Sequence, residues 1–251
     1  MRSVTLARAA GNRFFLHFPP AAGMILFRAM TAPLLHCRDL QCLRPLWREG
    51  ASQVKDVSAE FTAGCFHAIS GAEGCGKNLL LHLLGLLEQP DAGEVWLGEI
   101  RASALPPAER DIVRLRNFGF LFPTCALLPS LTVLENIAFP VLKAGGTTEN
   151  EQAEQTLAAL QFCGLEALAG HPVSALEPAS QAVAAFARAI IHRPRVLLAE
   201  SPAAEEILVP LARRAVDDFG LTVVWGARQD GPAIRASDRV LGMSGGRLDA
   251  A

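Results

Sequence analysis

Apolar positions along this chain come in two kinds of run. Gln53–Phe61 places Val54, Val57, Ala59 and Phe61 on one side of an alternating pattern, as a half-buried strand does. Leu34–Leu40, Cys65–Ser70, Phe118–Phe122, Arg195–Ala199, Leu221–Trp225 and Arg239–Met243 are short apolar stretches bounded by turn residues, which predicts further strands. Asn78–Leu87 carries leucines all round, so it predicts a helix buried on most faces. Ala108–Arg116 predicts a polar helix. Thr132–Asn136 opens another, with Thr132 and Glu135 at capping-box spacing. Glu149–Cys163, Ser180–Ile191 and Glu205–Phe219 complete the helices. Asp91–Gly98 reads as turn, strand, turn, and Gly245-Gly246 as a hairpin turn. Strands alternating with helices predict an α/β fold with a parallel sheet under helical cover. The helices between Phe122 and Arg195 form a mostly helical insert, about 124–190.

Composition narrows this picture. The 251 residues suffice for a full core, and 51% apolar with 19% charged residues describes a globular chain. A net charge of −2 speaks against a dedicated nucleic-acid binder. The charge is uneven: Arg2, Arg8, Arg13, Arg28 and Arg38 precede the first acidic residue, Asp39. Residues 1–32 therefore read as an extension outside the fold, with Phe14, Phe15 and Phe18 and the Pro19-Pro20 break. Their composition fits an amphipathic targeting segment or a start codon placed too early, with Met24 or Met30 as the true start; the second is preferred. The six cysteines show no metal spacing and read as small buried hydrophobes. His67 and His82 read as core or boundary histidines, and Arg213-Arg214 with Asp217-Asp218 as a solvated helix face.

The chemistry concentrates in Gly71-Ala72-Glu73-Gly74-Cys75-Gly76-Lys77-Asn78, which lies between a predicted strand and a predicted helix. That context is the one a phosphate-cradling loop needs. Glycines let backbone N–H groups approach phosphate oxygens, and the lysine reaches the outer phosphates. Two residues depart from the pattern. Glu73 places a carboxylate in the loop, and Asn78 stands where a hydroxyl would bind Mg²⁺.

Further matches extend over most of the chain: Leu79–Leu87 with Pro90 and Gly93, Phe118-Gly119-Phe120, Leu127-Leu128-Pro129, Leu131–Ile137 and Pro140. Ala187-Arg188-Ala189, Arg193-Pro194, Val196–Ala199 and Ser237–Val240 follow in order. In these segments residues 34–249 resemble the nucleotide-binding subunit of an ABC transporter, of the lipoprotein-releasing and macrolide-export type. The resemblance implies a P-loop NTPase (ABC ATPase) fold over 33–251, with a mixed sheet core and a helical subdomain. ATP and Mg²⁺ are the implied cofactors. An ABC permease in the membrane is the implied partner, and the inner face of the membrane the implied cytoplasmic location.

The resemblance also assigns positions. Gly71, Gly74, Cys75, Gly76, Lys77, Asn78 and Leu79 map to the nucleotide contacts, and Arg44 to the adenine-stacking aromatic, with Trp47 nearby as a substitute. Asn78 and Glu200 map to the metal ligands, both weaker than the usual pair. Pro123 stands at the glutamine that senses metal and partner. Leu176-Glu177-Pro178-Ala179-Ser180 stands at the signature loop, with Glu177 in place of its serine. Ser201 stands at the general base, and Arg228 at the histidine that contacts the γ-phosphate. The segment from Pro202 to Thr222 is about eight residues shorter than the family pattern, which removes a dimer-contacting loop. Three functions follow as expectations: a degenerate subunit (pseudo-ATPase) with weak or no nucleotide binding, partnered with an intact ATPase subunit in an asymmetric dimer; an active ATPase carried by Glu200, Lys77 and Arg228; or a decaying paralogue. The first is preferred.

Overall fold

The computed structural model describes residues 33–43, 53–202 and 204–249. The predicted extension at 1–32, Arg44 and Trp47 lie outside the described residues.

Two sheets form. Strands β1 (Pro33–Cys42), β2 (Val54–Thr62) and β4 (Ala92–Leu97) make an antiparallel sheet in the order β2-β1-β4. The second sheet contains β3 (Phe66–Ser70), β5 (Phe118–Leu121), β6 (Val196–Glu200), β7 (Thr222–Ala227), β8 (Arg239–Ser244) and β9 (Arg247–Leu248). Its order is β5-β6-β7-β3-β8-β9, parallel except for the β8–β9 hairpin. Parallel strands need crossovers, and helices supply them.

The mixed character is thus divided between a nearly all-parallel sheet and a separate antiparallel one. Period-two alternation splits the parallel strands between two cores. Phe66, Ala68, Leu197, Ala199, Val223 and Trp225 face the helical side. Ile69, Val196, Leu198 and Val224 face helix α1 (Lys77–Leu84) and the antiparallel sheet. Leu79, Leu80, Leu81, Leu83 and Leu84 are all buried there, each worth about 1.5–3 kcal/mol of apolar burial. Helix α2 (Pro107–Asn117) has no buried residue, as its polar composition predicts.

Helices α3 (Val133–Ala144), α4 (Glu149–Cys163) and α5 (Pro178–Ile190) fill the interval between β5 and β6. Capping boxes start α3 at Thr132/Glu135 and α4 at Thr148/Glu151. These helices have no core of their own. Val133, Ile137, Leu160 and Phe186 share one cluster with the helical face of the parallel sheet. Helices α6 (Glu205–Phe219) and α7 (Pro232–Ala236) flank β7. Sequence periodicity did not predict α7, whose five residues are too few to show a helical period.

The Arg213-Arg214 face does more than meet solvent. Arg213 pairs with Asp217 at 2.6 Å and with Asp238 at 2.9 Å, tying α6 to the start of β8. Arg214 stacks on Phe162 of α4 at 3.8 Å from the ring centroid and donates to the Phe162 carbonyl. No disulfide joins the six cysteines, and none of them is exposed. Burial pushes the Cys37 and Cys163 thiols up to about 12, which leaves them protonated and inert.

Candidate functional site

The carboxyl ends of β5, β6, β7 and β3 lie along one edge of the parallel sheet. Leu121 pairs with Ala199, Glu200 with Gly226, and Ser70 with Ala227. The residues that follow each strand, Pro123, Ser201, Arg228 and the 71–77 loop, therefore collect at that edge. In open parallel sheets this edge is where ligands bind.

The loop is built from its glycines. Gly71 sits against the Met243 carbonyl, with no room for a Cβ. Gly76 has φ 112°, and a Cβ there would stand 2.5 Å from the Gln53 carbonyl oxygen. Gly76 caps α1, so the helix N-terminus opens into the loop with its free N–H groups. Lys77 is the first helical residue and is buried. Its ammonium donates to the carbonyls of Gly71 at 2.5 Å and Ala72 at 2.8 Å, and lies 3.7 Å from Cys75 Sγ. The cation thus folds back on its own loop, and a phosphate would have to draw it outward. Cys75 and Leu79 are buried, while Glu73, Gly74 and Asn78 are exposed. The backbone cradle and the lysine fit a phosphate chain.

The neighbouring strand end is differently made. Glu200, the last residue of β6, is buried, and its Oε1 accepts from His82 Nε2 at 2.5 Å. His82 is therefore a half-buried boundary histidine that also pairs with the strand-end carboxylate. Spacing could not reveal this, because 118 residues separate the two. Phe122 stands edge-on to His82, with ring centroids 6.5 Å apart.

Ser201 has φ 39°, and its hydroxyl donates to the Gly226 carbonyl at 2.7 Å. Ala204, at φ 60°, ends the short connection into α6. Ser201 and Ala204 are thus both in left-handed conformation, which is uncommon for residues other than glycine.

Arg228 is exposed just past β7, and Pro123 is exposed past β5. Glu177 occupies the N-cap position of α5 with Pro178 behind it, and Ser180 Oγ donates to its carboxylate at 3.4 Å. Glu177 thus sits at the head of a helix in the helical layer. A carboxylate suits the positive end of that helix and opposes an anionic ligand there.

Two further contacts carried no sequence signal. Glu205 is buried, with Oε1 accepting from Trp225 Nε1 at 3.2 Å. Arg188 donates to the carbonyls of Cys125 at 2.7 Å and Ala126 at 2.6 Å, holding two residues of positive φ in the segment after Pro123.

Magnesium prefers hard, charged oxygens in a near-octahedral shell. The oxygens at the two positions the family pattern assigns to the metal are the neutral amide of Asn78 and a carboxylate with one oxygen engaged by His82. Among the described residues no group of three or more His, Cys, Asp or Glu side chains is placed to hold a metal ion. The phosphate cradle fits its ligand; the metal position does not.

A parallel sheet whose first crossover carries a glycine loop, a lysine and a helix N-terminus, beside an antiparallel sheet and a helical insert, defines an ATP-binding cassette on the P-loop NTPase fold. The MJ0796 cassette, solved as a dimer bound to ADP and Pi, superposes with a TM-score of 0.75 over 86% of this chain and 97% of that one, at 26% identity. CbiO1 of Clostridium perfringens shares the fold at TM-score 0.76 and 19% identity. The ABC transporter family model matches residues 54–204. The chain belongs to the ABC transporter family, as an ATP-binding domain related to the LolD and MacB ATPases. It is 38% identical to the lipoprotein-releasing system ATP-binding protein LolD of Acinetobacter baylyi over 149 residues, 59% of this chain and 65% of that protein. It is 31% identical to the macrolide export ATP-binding/permease protein MacB of Burkholderia pseudomallei over 226 residues, 87% of this chain and 34% of that protein.

Proposed function

We propose that this chain is a non-hydrolysing ATP-binding-cassette subunit, a pseudo-ATPase that holds nucleotide weakly and serves an export or lipoprotein-release type transporter. One observation carries the reading: the position of the expected general base is Ser201, whose hydroxyl is spent on the Gly226 carbonyl. A serine hydroxyl so engaged is no base for an attacking water. Pro123 offers neither an amide side chain nor a backbone donor, and Arg228 can donate but cannot accept a hydrogen bond. Phosphoryl transfer depends on positioning and electrostatics, and the missing base alone lowers the rate by about 10²–10⁴-fold.

Lys77 and the loop N–H groups remain to hold phosphates. The natural setting is an asymmetric dimer with an intact ATPase subunit beneath a membrane permease. Among the described residues no helix is long and apolar enough to cross a membrane. Attachment to the membrane would therefore pass through the permease, on its cytoplasmic side.

Purified chain with Mg-ATP is expected to release no phosphate above background. Turnover that Lys77→Ala abolishes would overturn the proposal. ATP at about 100 times its Kd is expected to stabilise the fold by about 2.7 kcal/mol in a thermal-shift series, and Lys77→Ala to remove that shift.

A further inference from the structure

We infer that this chain binds its nucleotide without magnesium, because Asn78 offers only a neutral amide and His82 already holds one oxygen of the carboxylate that a metal ion would draw on. The inference rests on the nucleotide-holding reading above and adds what that site excludes. Asn78 and His82 are four residues apart on α1 and so share one face of the helix. Asn78 lies at the exposed mouth, and His82 about one turn deeper. Glu200 reaches to the deeper of the two, with 9% of its side chain exposed and its Oε1 2.5 Å from His82 Nε2. The pair ties α1 to the end of β6, under the edge of the Phe122 ring.

A magnesium ion would have to share this carboxylate with His82, whose bond holds Oε1, shed some of its own water and accept an amide oxygen in return. It dehydrates reluctantly and gains little from a neutral ligand. Phosphate charge has other partners. Lys77, the first residue of α1, turns its ammonium into the loop, and Arg228 stands exposed at the same strand edge. Neither needs a metal to meet a phosphate oxygen.

The test is ATP titration of the full chain by calorimetry, once in EDTA and once in millimolar Mg²⁺. The two Kd values are expected to agree within about threefold. A larger tightening by Mg²⁺ overturns the inference and leaves the nucleotide-holding reading standing. No binding in either condition overturns both.

Two variants test the residues. Asn78→Ser supplies a hydroxyl at the expected metal position and is expected to stay indifferent to Mg²⁺ while His82 holds Glu200. The double variant Asn78→Ser/His82→Asn is expected to bind about tenfold tighter in Mg²⁺ than in EDTA. Full metal dependence in Asn78→Ser alone, or continued indifference in a folded double variant, would reject His82 as the cause.

Discussion

At the scale of single residues, the chain separates polar groups that hold the fold from those that face a ligand. Asn136 belongs to the first kind. It is fully buried, its amide donates to the carbonyls of Leu128, Leu131 and Thr132 at 3.0–3.3 Å, and its Oδ1 accepts from Leu128 N at 2.8 Å. Asn136→Ala would leave these groups without partners, and a loss of about 2–4 kcal/mol is expected in urea unfolding. Lys77 belongs to the second kind, although without ligand it bonds to its own loop. The sequence placed both residues in their segments. It did not show that one asparagine ties together the whole turn before α3, because such a role appears only when the turn's carbonyls converge on it.

At the scale of elements, most of the sequence-predicted strands and helices form with shifts of a few residues at their ends. Glu149–Cys163 and Glu205–Phe219 form with the predicted ends. Capping residues and apolar periods are local signals, so they survive in a single sequence. What was not legible is how closely the elements approach. In β5, Gly119 packs directly against the Ala189 carbonyl of α5, where a Cβ would collide with backbone. Gly119→Ala is therefore expected to cost about 1–3 kcal/mol through displaced packing between strand and helix. The check is a drop in the unfolding midpoint with the m-value unchanged. The same close approach joins the helical layer to the parallel sheet in one core, so an insert that looks separable along the chain is continuous in space.

At the scale of the whole molecule, acid sensitivity follows from one buried and two half-buried histidines. Burial holds His36, His67 and His192 below their ordinary value of 6.5, with Arg38 adding to the effect at His36. Their folded forms bind protons less readily than the unfolded chain does. Stability is therefore complete above that ordinary value and falls as pH drops through it toward the folded values. The unfolding midpoint in urea is expected to fall between about pH 7 and about pH 5. His192→Gln keeps a donor for the Phe118 carbonyl and is expected to flatten that slope. The contribution of Asp238 is lost in a lower window. Burial raises its carboxyl, but the Phe66 N–H and Arg213 outweigh this and hold it below the usual aspartate range.

The local order of the chain determined the α/β class, the positions of most elements and the loop at 71–78. Each depends on neighbours within a few positions: alternation, leucine spacing, a Thr-x-x-Glu cap, or glycines before a lysine. Tertiary structure alone decided which polar groups meet. His82 and Glu200, Ser201 and Gly226, Arg188 and the carbonyls of Cys125 and Ala126 lie 25 to 118 residues apart. Hydrogen bonds reach about 3 Å and have direction, so only the folded arrangement of β6, β7, α1 and α5 could bring those partners into register.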